Sequence, residues 1–141
     1  MGKTSQLIEI ETTAERVWHT IRDFYHMKWA QNVITDLQVV GEGPGDQIGA
    51  VRILNGAFRE TLLELSDENR TFAYSIDDGP SPLSKSEVKN YVGRVKVSPA
   101  GENGRTLVEW SSTWEDNDEA VYEFCHGMYV ALLDELKKSL E

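Results

Sequence analysis

Beyond residue 33 the chain stops repeating at helical spacing and alternates instead, through six short runs, until about residue 115. The runs fall at roughly 35–41, 47–54, 57–66, 70–78, 87–98 and 105–115, each bounded by turn chemistry. Gly41-Glu-Gly-Pro-Gly45, Asp67-Glu68-Asn69 and Ala100 to Gly104 are turns. Asp78 to Ser86, with Pro80 and Pro82, is a longer loop that cannot enter a sheet interior. Asn55-Gly56 is the sharpest signal, because a type I′ hairpin turn needs positive φ at both central positions. Strands joined by hairpins in unbroken succession form an antiparallel sheet.

The flanks supply the remaining elements. Residues 5–11 alternate and read as a first strand. Thr12 and Glu15 have the spacing of a capping box, and a helix follows to about Phe24 with Val17, Ile21 and Phe24 on one face. Tyr25 to Asn32 reads as a second short helix or a turn carrying Trp29. From about Asn117 to Leu140 runs a long helix, acidic at its start and with Lys137 and Lys138 near its end, as the helix dipole favours. It is the one element long enough to cover the sheet, at about 35 Å. Expected, then, is a single α+β domain over 1–141: a curved antiparallel seven-stranded sheet around a long C-terminal helix, with one or two short helices after strand 1.

Composition bounds the partners. The chain of 141 residues carries 24 Asp and Glu against 14 Lys and Arg, a formal charge of −10, which disfavours nucleic acid and anionic membrane surfaces. Its single cysteine, Cys125, cannot form an intrachain disulfide. No apolar run approaches the roughly 18–20 residues of a membrane span, and the N-terminus has no apolar signal core, so a cytoplasmic monomer or homodimer is expected. The three histidines lack metal-ligand spacing, no nucleophile elbow is present, and the glycine-rich 41–45 segment opens no helix; no metal or cofactor is expected.

The order of elements, with particular residues on it, resembles the helix-grip superfamily of START lipid-transfer domains, polyketide cyclases, pollen-allergen-like proteins and plant hormone receptors. The residues carrying the resemblance are Ala14-Glu-Arg-Val-Trp18, Asp23-Phe24, Trp29, Gly49-Ala-Val-Arg52, Glu60-Thr-Leu62, Tyr74-Ser-Ile76, Asn90-Tyr91, Glu109-Trp110 and Gly127-Met-Tyr129 with Leu133 and Leu136. It spans essentially the whole chain and is closest to the bacterial polyketide cyclase/dehydrase-like branch. It implies a cavity between sheet and helix; the longer gate and latch motifs of the hormone receptors are absent here.

Candidate cavity residues follow from alternation and from the resemblance. A two-residue Asn55-Gly56 turn pairs Leu54 with Ala57, Ile53 with Phe58, Arg52 with Arg59 and Val51 with Glu60. Val51, Ile53, Phe58 and Leu62 then share the inner face with Glu60, while the two arginines face solvent. Glu60 on an apolar face is either a rim position, a bulge or the sign of a different register, or else a polar anchor, and the resemblance implies that it lines the cavity. Tyr91, with Gly93, Val95 and Val97, is a core tyrosine or a second anchor, and Tyr74 and Ile76 fill the inner face of their strand. The resemblance places Glu109 in the cavity, whereas hydrophobicity turns Val108, Trp110 and Trp114 inward; alternation forbids both without a bulge. Phe124, Met128 and Leu132 are core or cavity floor, and Trp29 caps the pocket or the core. His126 lies off the helix stripe. Such a site implies binding of a small hydrophobic ligand, a lipid or polyketide. The alternative is a cyclase, aromatase or dehydratase in which Glu60 and Tyr91 move protons on an apolar carbonyl substrate. An adaptor surface would need an exposed apolar patch.

Overall fold

The computed structural model describes residues 2–101 and 104–141, so Glu102 and Asn103 of the expected Ala100–Gly104 turn lie outside the described residues. Strands β1 (Gly2–Ile10), β2 (Leu37–Val40), β3 (Val51–Leu54), β4 (Phe58–Ser66), β5 (Thr71–Asp78), β6 (Lys89–Pro99) and β7 (Thr106–Glu115) form one antiparallel sheet in the order β1-β7-β6-β5-β4-β3-β2. Helix α1 (Ala14–Ile21) and a single 3-10 turn (Lys28–Ala30) follow β1, and helix α2 (Asp118–Leu140) closes the chain. This is the α+β, helix-grip arrangement expected from the order of the runs.

Local chemistry moves several boundaries. Thr13, not Thr12, caps α1: its hydroxyl accepts from the Arg16 amide at 3.2 Å. Thr12 is held elsewhere, its carbonyl accepting from the Thr106 hydroxyl on β7, so the expected capping box with Glu15 does not form. The helix ends at Ile21 rather than Phe24, although Phe24 is still buried. Residues 47–50, expected as strand, form the bend that precedes β3, with Gly49 at positive φ.

The β3–β4 hairpin departs most from expectation. Asn55 and Gly56 do adopt positive φ, +55° and +63°, and the Ala57 amide closes the turn on the Leu54 carbonyl. Yet Leu54 pairs with Phe58, Ile53 with Arg59, Arg52 with Glu60 and Val51 with Thr61. Ala57 joins the loop as a third residue, and the register moves by one. A one-residue slip exchanges the faces of a strand. Arg52 therefore turns inward with Leu54, Phe58, Glu60 and Leu62, while Val51 and Ile53 turn to the outer face.

The inner faces of β6 and β7 run as alternation demands: Tyr91, Gly93, Val95 and Val97, then Thr106, Val108, Trp110, Ser112 and Trp114. Glu109 is outside, where it accepts a hydrogen bond from Ser5 on β1 at 2.7 Å. α2 buries Val121, Cys125, Tyr129, Leu132, Leu133, Leu136 and Leu140. Its contact line is centred one residue beyond the expected Phe124–Met128 line, and those two side chains are half-buried at the edge. Among the described residues no helix is long and apolar enough to cross a membrane.

Gly93 is where β6 and β5 make room for an aromatic ring: a Cβ there would stand 2.3 Å from Cζ of Tyr74. Gly93→Ala is expected to lower the free energy of unfolding by about 1–3 kcal/mol, the usual cost of overpacking. Urea unfolding measures it, and removing the ring in a Gly93→Ala/Tyr74→Ala double variant should make the two losses less than additive.

Candidate functional site

Sheet and α2 do not meet completely. Between them lies a narrow chamber reached from β3 to β7, α2, the segment after α1 and the 79–88 loop. Its walls are chiefly aromatic and aliphatic, and its free space is about 20 Å³, room for a single water. Phe58, Glu60, Tyr74, Ile76, Tyr91, Phe124, Met128 and Leu132, all expected from the sequence, line it. Five other expected residues do not. Val51 and Ile53 are on the outer face by register, and Glu109 is outside by alternation. Leu62 is buried one turn of the pleat further along, in the solid core. Trp29 is half-buried and packs on Trp110, ring centroids 6.4 Å apart, as part of the core rather than the chamber wall.

Two polar groups interrupt the apolar lining. The first is an ion pair. Glu60, 5% exposed, accepts on one oxygen, Oε1, from both Nε and Nη2 of Arg52 at 2.9 and 2.8 Å. The third guanidinium nitrogen, Nη1, donates to the Phe24 carbonyl at 2.8 Å, and the guanidinium carbon lies 3.7 Å from the centroid of the Phe24 ring. Arg52 is thus fixed on every side, and Glu60 Oε2 takes no hydrogen bond from a described side chain. Burial pushes the Glu60 carboxyl above its ordinary range, and the Arg52 charge opposes that shift without cancelling it.

The second group is a run of hydroxyls. The Trp110 indole N–H donates to the Tyr74 hydroxyl at 2.9 Å. Tyr74 stands 3.5 Å from the Tyr129 hydroxyl, Tyr129 touches the Tyr91 hydroxyl, and Tyr91 reaches the Cys125 sulfur at 3.3 Å. Stacked rings hold the run in place: Trp110 on Tyr129 at 5.3 Å and Tyr91 on Trp114 at 6.1 Å. Burial raises all three phenols well above their usual range, so they stay protonated donors at neutral pH. Burial likewise pushes the Cys125 thiol up to about 11. Glu60 and Tyr91 line the same chamber from strands β4 and β6, whose backbones are about 10 Å apart.

Sequence reasoning missed Arg52 and Leu54 because the hairpin register was one residue off; Cys125 and Tyr129 lie on the expected apolar face of the last helix but were not taken as lining residues, since the Phe124, Met128 and Leu132 line was. Trp110 was expected to face inward, though as packing. Met27, Ile34 and Leu83 come from irregular segments that carry no periodic signal. Among the described residues no three His, Cys, Asp or Glu side chains are placed to hold a metal ion.

A curved seven-stranded sheet closed on one long helix, with a polar-studded aromatic chamber between them, defines a helix-grip protein. Residues 1–141 match the family described as polyketide cyclase / dehydrase and lipid transport, and the chain belongs to that family. Among solved structures it is similar to a protein of Nitrosospira multiformis, with 38% identity and a TM-score of 0.95 over 99% of this chain and 96% of that one. The protein XoxI of Bacillus cereus is 29% identical, with a TM-score of 0.80 over 99% and 96%. Norcoclaurine synthase of Thalictrum flavum, at 16% identity and a TM-score of 0.73 over 96% and 84%, shares the fold alone. Comparison with curated proteins finds no match. Family and fold together indicate a ligand-binding or cyclase/dehydrase-type protein.

Two outcomes follow from this geometry. Truncating one partner of the buried pair, as in Glu60→Leu or Arg52→Met, should cost about 3–5 kcal/mol in chemical unfolding, and the Arg52→Met/Glu60→Leu pair should recover most of it. Native Cys125 should react with iodoacetamide at pH 8 at least about a hundredfold more slowly than a free cysteine, the rate rising with pH towards 11.

Proposed function

We propose that the chain, acting as one domain over residues 1–141, binds a small hydrophobic ligand in the chamber between the sheet and α2. The observation that carries this reading is the convergence of a few buried polar groups, Glu60 Oε2 and the tyrosine hydroxyls, on an otherwise apolar enclosed space, the usual make-up of a small-molecule site. At about 20 Å³ the chamber is far smaller than a drug-sized site of roughly 300 Å³ or more. Entry therefore requires side chains to move. Phe124, Met128 and Ile76 are the half-buried members of the wall, and Met128 is unbranched and flexible, so they form the yielding side. The negative surface, −10 overall, favours a neutral or cationic molecule over an anionic one.

Proton transfer is the second reading. It is favoured by the raised affinity of the Glu60 carboxyl for its proton and by the shared chamber of Glu60 and Tyr91. Arg52 works against it, since a carboxylate held on both nitrogens of a guanidinium is a weak base.

Ligand-detected NMR with benzene derivatives of increasing size tests the binding reading. Binding to the wild type is expected, with loss in Leu132→Trp, which fills the chamber, and about tenfold tightening in Phe124→Ala, which widens it. Unchanged binding in both variants, with circular dichroism showing native folds, would place the ligand elsewhere. For the second reading, Glu60→Gln should abolish turnover of any substrate found while leaving Cys125 protected.

A further inference from the structure

We propose that the outer face of the sheet carries a second site, separate from the chamber: a hollow over β1, β7 and β6 that binds the phosphate of a phosphate monoester between Lys3 and Arg94.

The register builds this hollow. Lys3 pairs with Thr113, which pairs with Val92, and Ser5 pairs with Ser111, which pairs with Arg94. These residues form a block of two rows on three strands, and alternation turns all of them away from the core. Small side chains fill the middle strand and long ones stand at two corners, leaving a hollow of about 440 Å³. With strands about 4.8 Å apart and a rise of about 3.4 Å per residue, Lys3 and Arg94 occupy opposite corners about 12 Å apart. Their long side chains can meet over Ser111 and Thr113.

Charge and free donors decide what fits there. The chain has 24 Asp and Glu, yet no carboxylate lines this hollow. Three other surface hollows each include one: Glu15, Asp36 and Asp134. Among the described residues, Lys3, Ser111 and Thr113 have no ion-pair or side-chain hydrogen-bond partner. The Ser5 hydroxyl is given to Glu109, and Glu109 in turn faces Lys96 across the strand pair. Arg94 lends Nη1 to Glu64 at 2.8 Å, but the two side chains are 47% and 64% exposed, so the pair contributes little and gives way easily. Nε and Nη2 of Arg94 have no partner among the described residues. The free groups are therefore an ammonium, one edge of a guanidinium and two hydroxyls. That set hydrogen-bonds the oxygens of a dianion and offers a cation no charge. At physiological salt, charges beyond about 8 Å are largely screened, so the acids elsewhere on the surface do not cancel this local reversal.

Amide chemical shifts of the 15N-labelled full chain, titrated with inorganic phosphate and with methyl phosphate at constant ionic strength, test the site. Saturable shifts are expected at residues 3–5, 92–94 and 111–113. Lys3→Ala and Arg94→Ala should each weaken binding about tenfold, and Lys3→Arg should keep it within about threefold. Glu64→Gln, which releases Arg94, should tighten it about twofold. Lys28→Ala removes an exposed cation outside the block and should leave binding within about 1.5-fold. Absence of saturable shifts at these amides up to about 10 mM phosphate overturns the site. So does equal weakening in Lys3→Ala, Arg94→Ala and Lys28→Ala, the mark of a general charge effect. Vesicles of about one part phosphatidic acid to four of phosphatidylcholine separate the sources of the phosphate. Sedimentation with them that is lost in Lys3→Ala and Arg94→Ala supports the site with a lipid headgroup as its ligand. No sedimentation, with methyl phosphate bound, supports it with a soluble ester.

Discussion

A carboxylate cannot remain ionised inside an apolar wall without a counter-charge, and here that requirement governs the hairpin on which the site is built. With Glu60 directed inward, the cross-strand position opposite it must supply a cation or leave a buried charge alone, which costs several kcal/mol. The register that places Arg52 opposite Glu60 meets the need, and it is reached by admitting Ala57 to the turn. The same arginine reaches back to the Phe24 carbonyl and lies over the Phe24 ring, so one side chain ties β3 and β4 to the segment after α1. Glu60 is therefore less a lone acid in a hollow than half of a neutral pair with one oxygen to spare.

The opposite wall is organised by aromatic packing. Gly93 lets the Tyr74 ring lie against β6, Trp110 stacks on Tyr129 of α2, and the hydroxyls of three tyrosines are brought into one line. Helix and sheet are held together there by groups that are both apolar surface and hydrogen-bond donors. The chamber thus has an ion pair in one wall and a donor run in another, with aliphatic and aromatic surface between them.

Its small volume is informative about the kind of motion binding entails. The buried wall is close-packed and tied by hydrogen bonds, whereas Phe124 and Met128 stand at the edge of the α2 contact with part of their surface in water. Displacing them exposes less apolar area than displacing any member of the core. The contact of α2 is centred on Val121, Cys125, Tyr129, Leu132 and Leu136, which leaves Phe124 and Met128 at its edge.

Alternation, turn chemistry and the terminal amphipathic run were enough to read the element order, because periodicity is a local property and each strand carries it. They were also enough to bring Glu60, Tyr74, Tyr91 and Leu132 to the inner side. They were not enough for the hairpin register, since Asn55 and Gly56 take the positive φ expected of a two-residue turn although three residues separate the paired Leu54 and Phe58. Nor could they reveal Met27, Ile34 and Leu83, which reach the chamber from segments with no repeat. What the sequence alone determined is the order of strands, helices and turns, and that Glu60 would share a strand face with apolar residues. What only the tertiary structure decided is the partner of that acid and the line of hydroxyls, because both join residues from different elements whose relative register depends on how the whole core packs.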